Sequence, residues 1–216
     1  RIYCVGRNYA DHAREMGAAP AAADDRGRPM FFAKPADAIV PGNTADVPYP
    51  SATAELHHEV ELVVALGADA PAGVLGVEQA MALVLAYGVG LDLTRRDLQA
   101  AAKAKGHPWD IAKGFDHSAP VSELVRASEV GELGARAISL KVNGQLRQSS
   151  TLDNMIWNVA EILHELSQLF ALKAGDLVMM GTPAGVGALQ PGDHFDARIE
   201  GIGQRSGTIT AAVVAG

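Results

Sequence analysis

Residues 56–66 read LHHEVELVVAL and stop at Gly67. The run is rich in Val and Leu, and its two glutamates fall on alternate positions, the period of a β-strand. Glu59 and Glu61 therefore leave one face of an extended segment, about 7 Å apart along the backbone at ~3.3 Å per residue. Val60, Leu62 and Val64 take the opposite face. Two unpaired carboxylates among such apolar neighbours repel each other and are costly to bury, so a positive partner is expected between them. An ordinary solvated strand face remains the competing reading of this stretch taken alone.

Outward from this strand, residues 77–86 have helical composition, and residues 87–93 read as a second buried strand in which Asp92 is the one acid. Thr94-Arg95-Arg96-Asp97 resembles a capping box that opens a helix through Gln99 to about Lys105, stopped by Gly106. Asp92 then sits at a strand-to-helix junction. Residues 138–142 and 145–148 flank Asn143-Gly144, the pair suited to a two-residue hairpin turn. Apolar positions Ile156, Val159, Ile162, Leu163, Leu166, Leu169 and Phe170 predict an amphipathic helix over 155–172, the longest of the chain, capped by Asp153 or Asn154. Residues 177–180, 195–199 and 208–214 read as strands between Gly and Pro turns. Near the start, residues 7–16 form a short helical candidate ended by Gly17, and an Ala-rich loop follows over 17–29. Many strands with few helices imply an α+β fold whose sheets curl around a core.

The chain has 216 residues, 48% of them hydrophobic and 20% charged, which fits one folded domain. Its formal net charge of -7 supplies no basic field for nucleic acid. Cys4, the single cysteine, has no intrachain partner for a disulfide, and the longest apolar stretch, residues 80–91, is too short for a bilayer. A soluble, cytoplasmic protein without a membrane partner is expected.

Several familiar sites fail on inspection. His164-Glu165 begins a zinc motif, but Gln168 stands where its second histidine belongs. The glycine pairs Gly185/Gly187 and Gly201/Gly203 lack the third glycine of a dinucleotide loop, and neither a phosphate loop nor a GxSxG elbow occurs. Chemistry is left to water, a metal or acid/base groups.

If the strands of Glu59, Glu61 and Asp92 are neighbours, three carboxylates converge into an all-oxygen set suited to a hard divalent ion. Mg²⁺ comes first, with Mn²⁺ and Ca²⁺ next, and zinc is disfavoured. His58 is expected to point away from both glutamates as hydrogen-bonded structure. His12 and Glu15, three apart on a helix, form either a base with its orienting carboxylate or a surface ion pair. Arg96 and Gln99 lie one turn apart just after Asp92. Lys113, beside Gly114, and Thr182, in a Gly-Thr-Pro turn, carry weight only in company with the others.

The segments CVGRNYADHAREMG, FFAKPADAIV, LHHEVELVVALG, GLDLTRRDLQ, GHPWDIAKGFDHSAP, LKVNGQLRQ and MMGTPAGVG, in this order, resemble the fumarylacetoacetate hydrolase family across almost the whole chain. The resemblance implies a mixed β-sandwich roll with a few peripheral helices, usually a homodimer. It implies one catalytic domain over 1–216, in which 1–50 supply a lid helix and loop and 51–216 the roll. It further implies metal ligation by Glu59, Glu61 and Asp92, and a His12/Glu15 base pair. Gln99 and Lys113 would join the catalysis, and Arg7, Arg96 and Thr182 the binding of a small 2-oxo acid. The likeness is nearest to the acylpyruvase branch and its bacterial fumarylpyruvate hydrolases, so metal-dependent carbon–carbon hydrolysis of an acylpyruvate is expected. Oxaloacetate decarboxylation, isomerisation or hydration of a related 2-oxo acid, and a non-catalytic metal-stabilised binding role are the alternatives.

Overall fold

The computed structural model describes residues 1–17 and 26–211. Most of the loop expected over 17–29, and the end of the last expected strand, lie outside the described residues. An eight-stranded mixed sheet runs in the order Met30–Lys34, Ile2–Gly6, Leu177–Met179, Val60–Leu66, Val84–Leu91, Ala119–Val121, Ile39–Pro41, with Val125–Arg126 paired to Val84–Leu91. A five-stranded sheet of Gln145–Thr151, Ala137–Val142, His194–Ile199, Gly203–Thr210 and Val47–Pro48 packs on it through Val84–Leu91. Val60, Leu62, Val64, Val89 and Leu91 from the first sheet meet Ile138, Leu140, Phe195, Ala197 and Ile199 from the second in the main core. The α+β roll with peripheral helices is what the strand-rich pattern and the family resemblance imply.

The alternation of residues 56–66 holds, but the strand is two strands. Leu56–His58 pairs with Gly187–Leu189 and Thr94–Arg95 in a small third sheet, whereas Val60–Leu66 pairs with Leu177–Met179 and Val84–Leu91. The chain changes sheets at Glu59. Its neighbour does the same at Asp92, because Val84–Leu91 ends in the large sheet and Thr94–Arg95 belongs to the small one. Val60 stands opposite Leu91, and the Asp92 amide donates to the Glu59 carbonyl at 2.8 Å. Both acids thus occupy one corner where two adjacent chains leave the sheet together.

Other boundaries move for identifiable reasons. The first helix after Gly67 is only Val77–Met81, and the strand begins at Val84, since its β-rich residues pair along the whole length of Val60–Leu66. No Thr94 capping box forms. Thr94 turns its hydroxyl back to the Asp92 carbonyl, and Asp97 accepts from Thr53, Ala54 and Leu98 instead. The helix Arg96–Lys105 still ends on left-handed Gly106 (φ 64°). The expected helix over 155–172 is confined to Val159–Ser167, shorter than Arg96–Lys105, and its cap is Asn158 in a reciprocal capping box with Glu161. The hairpin turns as expected at Asn143 and Gly144, both at positive φ.

Candidate metal and active site

The side chains of Glu59, Glu61 and Asp92 each present a carboxylate oxygen within 4.8 Å of the others, and all three are buried. Lys113, in the helical turn Asp110–Lys113, bridges two of them, its Nζ donating to Glu59 Oε2 at 2.8 Å and Asp92 Oδ2 at 2.6 Å. Arg96 pairs with the other oxygen of Glu59 and donates to Gln99 Oε1. Burial alone would raise both glutamates, yet Lys113 and Arg96 hold Glu59 well below the carboxylate range. Glu61 goes the other way: burial first, then the charges of Asp92 and Glu59, push it well up, and its Oε2 accepts from the Gly181 amide at 2.7 Å. That amide can come so close because Gly181 (φ 92°) has no side chain; a Cβ there would lie 2.7 Å from the Asn8 Cβ.

These residues fit a divalent cation. Asp92 Oδ1 is buried and has one close polar neighbour, Lys34 Nζ at 2.8 Å, a lysine that also donates to the Leu93 and Lys113 carbonyls. Three buried carboxylates within 4.8 Å of one another, one of them driven toward its neutral form by burial and by the other two, make the all-oxygen arrangement that a hard cation relieves.

One wall of the cleft is the N-terminal helix Ala10–Glu15. His12, 6% exposed, lines the cleft, and its Nδ1 lies 3.3 Å from Glu15 Oε2. Both Glu15 oxygens accept from the Gly185 amide at 3.2 Å, which holds the carboxylate behind the ring. Burial lowers the His12 pKa against the opposing pull of Glu59 and Glu15. An ionised Glu15 only accepts, so the imidazole proton belongs on Nδ1 and Nε2 is left basic. Buried Asn8 anchors this wall, giving Nδ2 to the Trp157 and Met180 carbonyls and taking the Trp157 amide on Oδ1. Arg7, before it, is held at φ 59°, a left-handed conformation that costs a bulky residue about 1–2 kcal/mol.

Nine of the ten residues picked from the sequence line this cleft: Arg7, His12, Glu59, Glu61, Asp92, Arg96, Gln99, Lys113 and Thr182. Glu15 stands behind His12 rather than on the surface of the cleft. Sequence reasoning missed Lys34, Lys103, Met30, Phe32 and Trp109, which surround the same space or its floor. It also missed Gln148, which is 1% exposed: Oε1 accepts from His58 Nδ1 and Val60 N at 2.9 and 3.1 Å, and Nε2 donates to Thr182 Oγ1 and the Pro183 carbonyl at 2.8 Å each. The charge of Lys34 closing the apolar run 30–33 was a usable signal; Gln148, on an alternating hairpin, gave none. His58 is hydrogen-bonded structure as expected, and Cys4 is fully buried, its thiol pushed well up by burial first and by Asp92 next.

Residues 1–210 match the family described as "Fumarylacetoacetate (FAA) hydrolase C-terminal". The chain belongs to the fumarylacetoacetate hydrolase family. It is 44% identical over 184 residues to the fumarylpyruvate hydrolase of a Ralstonia species, covering 85% of this chain and 93% of that one. It is 41% identical over 201 residues to the mitochondrial oxaloacetate tautomerase FAHD1 of Rattus norvegicus, covering 93% and 87%. Among solved structures, the fumarylpyruvate hydrolase of Pseudomonas aeruginosa in complex with Mn²⁺ and pyruvate superposes with a TM-score of 0.91 at 49% identity, covering 98% of this chain and 89% of that one. Membership in this family of metal-binding enzymes agrees with the acidic cluster. Among the described residues, no helix is long and apolar enough to cross a membrane.

Proposed function

We propose that this protein is a divalent-metal-dependent acylpyruvate hydrolase whose substrate is fumarylpyruvate, cleaved to fumarate and pyruvate in aromatic catabolism. The observation that carries this reading is a buried three-carboxylate cluster that shares with a His–Glu pair a cleft lined, among the described residues, by no serine or cysteine. In this reading 1–216 is one catalytic domain with the lid segment in 1–50. Mg²⁺ is the working ion, with Mn²⁺ or Ca²⁺ as alternatives; a homodimer is carried over from the family, and a cytoplasmic location from the single cysteine and the absence of a long apolar stretch.

Glu59, Glu61 and Asp92 would hold the cation, which when bound supplies a Lewis acid toward the carboxylate and 2-oxo oxygens of the substrate. His12 Nε2 takes a proton from water, and Glu15 stabilises the imidazolium that forms. The resulting hydroxide attacks the distal carbonyl carbon; the bond from that carbon to the methylene breaks, and its electron pair moves into the pyruvate fragment as an enolate. A proton returned to the methylene carbon completes pyruvate. Lys113 and Gln99 stabilise the negative charge that develops, while Arg96 and the Thr182 hydroxyl bind carboxylate oxygens. The low His12 pKa suits this role, since a neutral imidazole is ready to accept at pH 7.

Pyruvate release from fumarylpyruvate, followed by nuclear magnetic resonance with Mg²⁺ or Mn²⁺ and then with EDTA, tests the reading. Metal-dependent appearance of fumarate and pyruvate is expected; loss of the enol signal without cleavage would contradict it. A second reading, enol–keto interconversion of oxaloacetate, is supported by the FAHD1 likeness and would use the same His12 to move a proton at the methylene carbon. Faster equilibration of oxaloacetate than cleavage of any acylpyruvate would select it.

A further inference from the structure

Arg96, Gln99 and Lys103 lie three and four residues apart on the helix Arg96–Lys105, so they share one face, and all three line the cleft. Their surroundings differ. Arg96 is held at the floor by Glu59 and Gln99, with guanidinium donors to spare. Lys103 lies two turns farther out, its Nζ 5.0 Å from the centroid of the Trp109 ring. Arg7 lines the same space from the opposite segment of chain. Among the described residues, neither Lys103 nor Arg7 has an ion-pair partner, whereas every other cation of the cleft is paired with an acid of the floor.

Two exposed cations lining one cleft, unpaired among the described residues, repel unless an anion joins them. The ammonium of Lys103 shows this: burial lowers its pKa first, and then Arg96 and Arg7 lower it further. We propose that Lys103 and Arg7 form a subsite for a second carboxylate at the far end of the substrate, making the enzyme selective for dianionic acylpyruvates. This inference rests on the hydrolase reading and adds to it the residues that set the substrate class.

The lengths along the helix are commensurate. Seven residues of helix separate Arg96 from Lys103, about 10 Å of rise at 1.5 Å per residue. The two carboxyl carbons of extended fumarylpyruvate are six bonds apart, roughly 7 Å at the ~1.2 Å per bond of an extended chain. With its 2-oxo acid end at the floor, such a molecule stops about 3 Å short of the Lys103 backbone level, within the reach of a lysine side chain; Phe32 and Trp109 line the stretch between, Lys113 Nζ lying 4.9 Å from one ring centroid and Lys103 Nζ 5.0 Å from the other. Acetylpyruvate ends in a methyl group well short of that level.

The test compares fumarylpyruvate with acetylpyruvate by lactate-dehydrogenase-coupled pyruvate release in the wild type, Lys103→Met, Lys103→Arg and Arg7→Met. A charge-assisted bond to a carboxylate is lost in Lys103→Met, so the ratio of kcat/KM for fumarylpyruvate over acetylpyruvate should fall about tenfold or more, through KM, with Lys103→Arg restoring most of it. Arg7→Met should lower the same ratio. Equal losses on both substrates would overturn the subsite while leaving the hydrolase reading intact, as would a wild type that does not prefer fumarylpyruvate. A wild type that cleaves neither would overturn the hydrolase reading and the subsite with it.

Discussion

The floor and the wall of this cleft are built on opposite principles. The floor, Glu59, Glu61 and Asp92, is buried where two neighbouring strands leave one sheet for another, and it is tied down by Lys113, Arg96, the Gly181 amide and the paired backbone of Glu59 and Asp92. The wall is a single six-residue helix whose functional side chains hang on one His12–Glu15 contact and one amide of Gly185. A metal-binding floor has to hold like charges together against repulsion, so its geometry is overdetermined. A proton-transfer wall needs one basic nitrogen in the right place, and a light attachment suffices.

The comparison breaks most visibly at the floor. Asp92→Asn keeps the shape but removes a charge from the cluster, and turnover should fall on the order of 10³-fold along with loss of Mn²⁺ binding by calorimetry. Retained Mn²⁺ affinity would mean the cluster is not the metal site. At the wall, Glu15→Gln should lower kcat/KM about 10–100-fold, the weight of a hydrogen bond to a charged group. It should also move the acid limb of the pH profile. A base must be deprotonated to act, and Glu15 raises the His12 pKa, so its neutralisation shifts that limb to lower pH. An unmoved limb would place Glu15 in a purely structural role.

The floor has its own pH signature. Glu61 is pushed up by burial and by its acidic neighbours, so the metal-free site retains a proton that a cation must displace. Metal binding should release about one proton and weaken as pH falls, which calorimetry in two buffers of different ionisation enthalpy measures. The smallest expected effect is on stability. Gln148→Leu leaves the Val60 amide and His58 without their acceptor behind the floor, and should cost about 1–3 kcal/mol in urea unfolding. A neutral result would show that the floor is held by its ion pairs alone.

The floor was also the more legible region. The alternation of Glu59 and Glu61 and the isolation of Asp92 in an apolar strand are local signals, and the hairpin at Asn143-Gly144 is another. The break at Glu59 is not local: it exists because Leu56–His58 finds partners in Gly187–Leu189 and Thr94–Arg95, far away in the chain. For the same reason the helix expected over 155–172 is truncated, since Ile156 and Trp157 spend their amides on Asn8. The pairing of Lys34 with Asp92 and the reach of Gln148 to Thr182 join segments distant in sequence, and no spacing rule carries them. His12 and Glu15 were readable as neighbours, but their facing the acids depends on Asn8 and Gly181, whose roles appear only in the folded chain.

The separation of floor from wall is tested most directly by His12→Ala, with Mn²⁺ affinity by calorimetry and fumarylpyruvate turnover measured on the same preparation. Mn²⁺ affinity within about threefold of wild type, with turnover down about 10²–10⁴-fold, is the predicted result. Turnover within a factor of a few, or loss of Mn²⁺ binding together with activity, would contradict it.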